Sequence, residues 1–365
     1  MGGVTSRREF LASASLLLAG AACSRGGSSS VQTFASTFVS PGNQTLELDL
    51  VIAAARGEIA PSTVSSFEHA TRVTVTQQPM GSGDELLLRL AAGDYGQVDL
   101  AVVDASTLSY MVDAGQVEPL ARKLIPNRKA LQQPFNDSPF DSGLRHSIPA
   151  WYDTVGVAAT PASAIASDTW QAFFALAERH PGRVVVPDTA DDVIGAVLVS
   201  LGHPWDSDSA GDLSDAHDRL VELRSSLHVP GVRLRSAPRV SNLPVLARLA
   251  RSDTYRRMSS EVRFYVPSEG SAYDMRSYCI PIYAPHPVAA HAWLEAWLDP
   301  AVEAAAVQEL MLPVPLFEAR TTLPASLVDN GAICPNADAI AASIQPNISA
   351  NGRLMRDALW TELHL

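Results

Sequence analysis

Cysteine is scarce in this chain. There are three in 365 residues, Cys23, Cys279 and Cys334, and none has the spacing of a zinc site or a redox motif. Positive charge is also in short supply. Twenty-seven Lys and Arg against 39 Asp and Glu give a formal net charge of -12. That balance lacks the basic footprint that holds a phosphate backbone, so nucleic acid is not an expected partner. The apolar run near the N-terminus is too short for a membrane-spanning helix. The nine histidines are scattered, and neither His-Glu-x-x-His nor Gly-x-Ser-x-Gly occurs. No pair of carboxylates stands out as an acid/base couple. Nothing in this pattern marks an enzyme, and no cofactor or metal is expected. There is no internal repeat.

What is present begins with "SRREFLASASLLLAGAAC". Arg7-Arg8, Phe10-Leu11, a short apolar run and small residues read as an export signal of the twin-arginine type over residues 1–23, with Ala12 where a Lys is common. Cys23 closes the run and is followed by Ser24 to Ser30, rich in Ser and Gly. This is similar to a bacterial lipoprotein signal, in which the cysteine is acylated after cleavage, although Gly20 stands where a Leu is usual. The alternative is plain cleavage near Ala21 or Ala22. Residues 24–45 then read as a flexible tether.

From residue 46 the remaining length suffices for two cores. "LELDLVIAA", "RVTVTQQ" and "VDLAVVD" read as strands; a helix opening at Pro61 and one in "GDELLLRLAAGDY" lie between them. "ASTLSYMVDAG" reads as a helix with Ser106 as its N-cap and Gly115 as its stop. A second set of helices and strands starts at Asp168. This alternation predicts a mainly parallel α/β architecture. "HSIPAWYDTVGVAAT" and "SYCIPIYAP" are extended runs where the chain crosses between the two sets, and a ligand is expected at the carboxyl ends of strands between them.

Several short stretches carry chemistry. In "PSEGSAYDMRSYCIPI", Asp274 and Arg276 are two residues apart in an extended segment and so share a face. They form either a solvated ion pair or the ligand-facing side of a cleft. "AWYD" places Trp151, Tyr152 and Asp153 in succession at the other crossing. Core packing of the aromatics competes there with a ligand-lining role, for which aromatic faces and a carboxylate suit an organic cation. "DSDSAGDLSDAH" begins like a calcium loop, but Ala210 and His217 occupy ligand positions, so a solvated loop and helix start is the reading.

Taken in order, "SSFEHATRVTV", "VDLAVVD", "SIPAWYDTVGV", "VVVPDTADDVIGAVLVSLG", "FYVPSEGSAYDMRSYCIP" and "PVAAHAWLEAWLDPAVEAAAVQELMLPVPLFEAR" resemble the solute-binding proteins of bacterial ABC importers, in the spermidine/putrescine-binding branch. The resemblance implies an α/β, two-lobed periplasmic-binding-protein fold of type II-like topology with an interlobe cleft. Its expected division is residues 46–155 with 277–330 as one lobe, 156–276 as the other, and 331–365 as a C-terminal helical segment near the cleft. It implies capture of a small polar solute, polyamine-like by family, and delivery to ABC permease subunits by a monomer. By the N-terminal reading, that monomer is anchored by lipid to the outer face of the cytoplasmic membrane. Asp192 and Gln345 fall where the family contacts its ligand. Ala54 or Ala55 replaces an early Trp, and Leu312 a late Tyr. Arg276 falls where the family has an acid, and a fixed guanidinium suits a carboxylate. The ligand set expected is therefore Asp192, Asp274, Arg276, Gln345, Trp151, Tyr152 and Asp153. A zwitterionic amino-acid derivative or a carboxylate is the alternative solute, and a secreted two-lobed enzyme is the more distant rival. Acylation at Cys23 predicts that Cys23→Ala moves the protein from the membrane fraction to the soluble one, read by immunoblot of separated fractions.

Overall fold

The computed structural model describes residues 45–81, 83–91, 98–160, 165–182, 184–229, 244–248 and 262–363. The signal segment with Arg7, Arg8 and Cys23, and the tether up to residue 44, lie outside the described residues. Among the described residues nine strands form one continuous sheet. In chain order they are β1 (Asp49–Ala54), β2 (Thr74–Pro79), β3 (Leu100–Val103), β4 (Ser147–Ala159), β5 (Val184–Val185), β6 (Leu227–His228), β7 (Val245–Arg248), β8 (Arg263–Tyr265) and β9 (Tyr273–Cys279). The order across the sheet is β2-β1-β3-β9-β4-β7-β5-β6, with β8 also paired to β4.

The outer strands are parallel, β1 with β2 and β3, and β5 with β6 and β7. The middle of the sheet differs from the mainly parallel expectation. There β4 is antiparallel to β7, β8 and β9, and β9 is antiparallel to β3. β4 carries the chain out of the first lobe and β9 carries it back, so the two central strands run antiparallel. All 13 residues of β4 are buried, which requires cover on both faces. Its first part pairs with β9 and its last part with β7 and β8. The turn Pro267–Gly270 separates β8 from β9 on the same flank of β4. Gly270 sits at φ 92 there, with Ala342 of the C-terminal segment pressed so close that a Cβ would not fit.

Around the first half of the sheet the alternation of side chains fills two layers. Leu50 and Ile52 of β1, and Leu100 and Val102 of β3, enter one core, with Phe67 of α1 (Pro61–Thr71) and Trp293 in edge contact at 5.1 Å. Ala53, Ala101, Val103 and Cys279 enter the opposite core with Leu108 and Met111. Two helices, α2 (Gly83–Ala91) and α3 (Ala105–Asp113), cover that side. Around the second half, Val155 and Val157 of β4 join Phe173 and Phe174 of α4 (Trp170–Arg179), Val193 and Ile194 of α5 (Ala190–Ser200), and Leu220 of α6 (Ala210–Leu223). These are the two lobes. Trp205 packs so tightly on α5 that a Cβ at Gly195 would collide with its indole.

The long helical return is broken where proline demands it. Pro287 opens α7 (Pro287–Trp297) and Pro300 opens α8 (Pro300–Leu310), with Asp299 capping Ala301. Short helices α9 (Ala325–Val328) and α10 (Ala337–Ala341) follow, and the last helix, α11 (Ala350–Leu363), inserts Leu359 and Leu363 into the second lobe's core. The segment between α10 and α11 pairs with the end of the Pro-Ser-Glu-Gly turn. Ile344 N–H donates to Ser271, and Tyr273 N–H donates to Ile344. Asp206 and Asp208, the acids of the calcium-like stretch, accept from Asn347 N–H at 3.0 Å and Ser349 N–H at 3.1 Å, and Ser209 caps α6. Those acids thus fasten the C-terminal segment to the second lobe. Cys279 and Cys334 are both free thiols, and burial, helped by Asp141, pushes the Cys279 thiol up to about 12.

Glu295 of α7 is buried, accepting from Asn127 N–H at 3.0 Å. Burial lifts its pKa from 4.5 to about 7, the Asn127 N–H opposing and Asp299 adding to the rise. The folded chain thus holds this proton more tightly than the unfolded one, and stability falls as pH climbs from about 4.5 through about 7. Glu295→Gln is expected to raise stability at pH 8 by on the order of 2–3 kcal/mol. The gain should vanish below pH 4.5, the pKa of the free side chain. Urea unfolding at the two pH values measures it.

Candidate ligand-binding cleft

A cavity of about 390 Å³ opens where both lobes and the C-terminal segment meet. The first lobe supplies the β3-to-α3 junction, Asp104 to Ser106, together with Phe140. The second supplies Asp191 and Asp192 at the start of α5, and Trp205. Tyr273 and Asp274 come from β9, and Gln345, Pro346, Ile348 and Arg353 from the C-terminal segment. Four carboxylates and three aromatic rings therefore face one arginine, and acidic groups with aromatic faces form a receptor for organic cations. A second hollow of similar volume shares Trp205. Two of its acids are already used in holding the fold, Asp206 by Asn347 and Glu269 by the N–H groups of Trp170 and Gln171 that open α4.

The carboxylates arrive by two local devices. Asp104 ends β3 and caps α3, where Ser106 was the expected cap. Its Oδ1 accepts from Thr107 N–H at 2.9 Å and from the Ser106 hydroxyl at 2.7 Å. The helix begins at Ala105, so Ser106 already lies inside its first turn and Asp104 holds the cap position. Burial acts to raise the Asp104 pKa, but those two hydrogen bonds and the nearby Arg276 cation prevail, and the net shift is downward. Asp191 and Asp192 sit in the first turn of α5, where the helix dipole favours negative charge. Burial raises the Asp191 pKa, while Arg356 and Arg353 pull it down and the Asp192 charge adds to the rise. Thr189 donates to Asp192 at 3.3 Å.

Of the residues expected at the ligand, Asp192, Asp274 and Gln345 line the cavity together. Gln345 is held by the Ser138 hydroxyl, which donates to its Oε1 at 2.8 Å. Asp153 is the β4 neighbour of Asp274 in register and is almost fully buried. Trp151 pairs with Arg276 in the same ladder, and the guanidinium lies 5.7 Å from its ring centroid. Tyr152 points the other way, into the core. It packs 4.4 Å from Phe135, its hydroxyl accepts from Arg320 at 3.3 Å, and burial pushes its pKa up to about 12. It is a packing residue, and like Trp151, Asp153 and Arg276 it is not among the residues that line the cavity.

Arg276 has protein partners. The register Val103 with Ser277 brings Asp104 alongside, and Arg276 Nη1 donates to Asp104 Oδ2 at 3.2 Å. Its Nε stands 3.8 Å from Glu58, whose other oxygen accepts from Ala55 N–H. The residues that sequence reasoning missed are Asp104, Asp191, Phe140, Trp205, Tyr273 and Arg353. For Asp104 the signal was present, since it closes the strand "VDLAVVD" directly before a helix.

Residues 62–232 match the family described as bacterial extracellular solute-binding protein. Over that span, just under half of its length, the chain is similar to the bacterial extracellular solute-binding proteins. It is 24% identical over 328 residues, 84% of this chain and 91% of the relative, to the putrescine/cadaverine-binding protein of Pseudomonas aeruginosa. It is 20% identical to spermidine/putrescine-binding periplasmic protein 1 of Haemophilus influenzae, over 77% of this chain and 79% of that protein. In fold it is similar to the substrate-binding protein PotD of a spermidine/putrescine ABC transporter from Streptococcus pneumoniae. The TM-score is 0.77 at 19% identity, covering 87% of this chain and 99% of that one. The binding protein AttC of Agrobacterium tumefaciens, in an open unliganded conformation, gives 0.68 at 18% identity, over 87% of this chain and 100% of that one. The two-lobed α/β architecture is thus that of substrate-binding proteins, which take up small solutes and work with membrane permeases. No helix among the described residues is long and apolar enough to cross a membrane.

The Asp104 cap and ion pair predict a stability cost. Asp104→Ala should lose about 2 kcal/mol, from the missing cap and from leaving Arg276 with Glu58 at 3.8 Å as its nearest acid, measured by the urea midpoint.

Proposed function

We propose that this protein captures a small organic cation of the diamine or polyamine class in the interlobe cavity and passes it to an ABC permease. It does so as a monomer, exported by the twin-arginine route and held to the outer face of the cytoplasmic membrane through Cys23. The observation that carries the ligand class is the lining of the cavity, with Asp191, Asp192 and Asp274 around Phe140, Trp205 and Tyr273, and Asp104 at one end already engaged by Arg276. A charge-assisted hydrogen bond from an ammonium to a carboxylate is worth about 1.5–3 kcal/mol, and the aromatic faces hold the methylene chain between ammonium groups. The names of the curated relatives point to the same class. The protein binds and releases its solute without altering it, and needs neither metal nor cofactor for that.

Arg353 in the lining supports a second reading, a zwitterion whose carboxylate meets the guanidinium while its ammonium meets the acids. Titration calorimetry with putrescine, cadaverine, spermidine and a γ-amino acid separates the two. Diamine binding that Asp192→Asn and Asp274→Asn each weaken about tenfold or more is the expected result. Heat from the amino acid alone establishes the second reading, and heat from neither class overturns both.

A further inference from the structure

Arg276 is held in the way that a cleft of this kind would hold a ligand. Its guanidinium lies over the Trp151 ring at 5.7 Å, Nη1 donates to Asp104 at 3.2 Å, and Nε stands 3.8 Å from Glu58. Trp151 and Glu58 are each 7% exposed, so the cage is largely desolvated. An aromatic face with two carboxylates is a cation cage. Here the cation belongs to the chain.

The cage also adjoins the cavity. Asp104 lines the cavity with one side and binds Arg276 with the other. Both of its oxygens are committed to the protein, Oδ1 to Thr107 and Ser106 and Oδ2 to Arg276. Asp104 therefore presents little uncompensated charge to a solute. On the same face of β9, two residues along, Asp274 lies in the lining itself.

Resting on the proposed organic-cation reading, we infer that Arg276 is a specificity-determining residue. It is a tethered cation that fills one ammonium position at the Asp104 end of the cleft and so restricts the solute to a shorter amine with one charge fewer. A diamine then fits between the remaining acids. A triamine would have to bring its third ammonium to the Asp104 end of the cleft, where the carboxylate is already committed to Arg276.

The test compares wild type with Arg276→Ala, Arg276→Gln and Arg276→Lys. Putrescine and spermidine affinities are measured by calorimetry. Wild type should favour putrescine. Arg276→Ala should move the affinity ratio towards spermidine by about tenfold or more. Arg276→Gln, which keeps a donor beside Asp104 and so supplies a folded variant without the charge, should move it the same way. Arg276→Lys keeps a cation in the cage and should stay near the wild-type ratio. A ratio unchanged in both Ala and Gln variants overturns the inference, as does a Lys variant that behaves like Ala.

A second arm does not depend on the solute. Ethylguanidinium at millimolar concentration should raise the melting temperature of Arg276→Ala and leave wild type unmoved, because only the variant has an empty cage. Equal response in the two proteins overturns the cage. A response confined to the variant, with no amine bound by wild type, keeps the cage and removes the ligand class of the proposed function instead.

Discussion

The antiparallel pairing of β4 with β9 is the constraint on which the rest of the molecule depends. Both strands run from one lobe into the other, so each lobe's sheet is a continuation of its neighbour's. The pairing holds Trp151 beside Arg276 and Asp153 beside Asp274. It also brings β3 against β9, and thereby Asp104 against Arg276. A slip of one residue would turn every one of these side chains to the opposite face. The cleft's electrostatics are therefore a consequence of strand register, with the helix starts at Asp104 and Asp191 adding carboxylates from either side.

Acids dominate the cavity and yet do not make it uniformly negative. Arg276 lies behind Asp104, and Arg356 and Arg353 act on Asp191. Arg356 is wholly buried and is held by the carbonyls of Trp205 and Ser207. Trp205 thus lines the cavity while its backbone anchors the arginine that tempers Asp191. Packing, hydrogen bonding and charge are shared among the same few residues, so substitutions around Trp205 should not act independently.

Much of the architecture was legible in the sequence because it is written locally. Pro61, Pro287 and Pro300 mark helix starts, and the apolar runs of β3 and β4 mark buried strands. Asp192, Asp274 and Gln345 could be placed near one another through resemblance, and they do share a cavity. The environment of Arg276 could not be read in this way. Its acids lie at positions 58 and 104, in other elements, and only the β3–β9 register brings them together. Tyr152 failed for a related reason. Three consecutive polar or aromatic residues in a strand cannot all face one ligand, and without knowing which face was core, "AWYD" gave no means to choose. Trp205 and Phe140 carry no local signal, since loops bring them in from separate parts of the chain.

The path of the chain has a practical consequence for anyone attaching something to it. Besides β4 and β9, the stretch between α10 and α11 passes from the first core, which holds Ala339 and Ile340, to the second, which holds Leu359 and Leu363. Three passages are an odd number. The described chain thus starts in one lobe, with Leu46 packed against the first core, and finishes in the other. A fluorophore at each end would ride on different bodies, so the separation between the dyes follows the angle between the lobes. A surface linked through the last helix would hold the molecule by its second lobe.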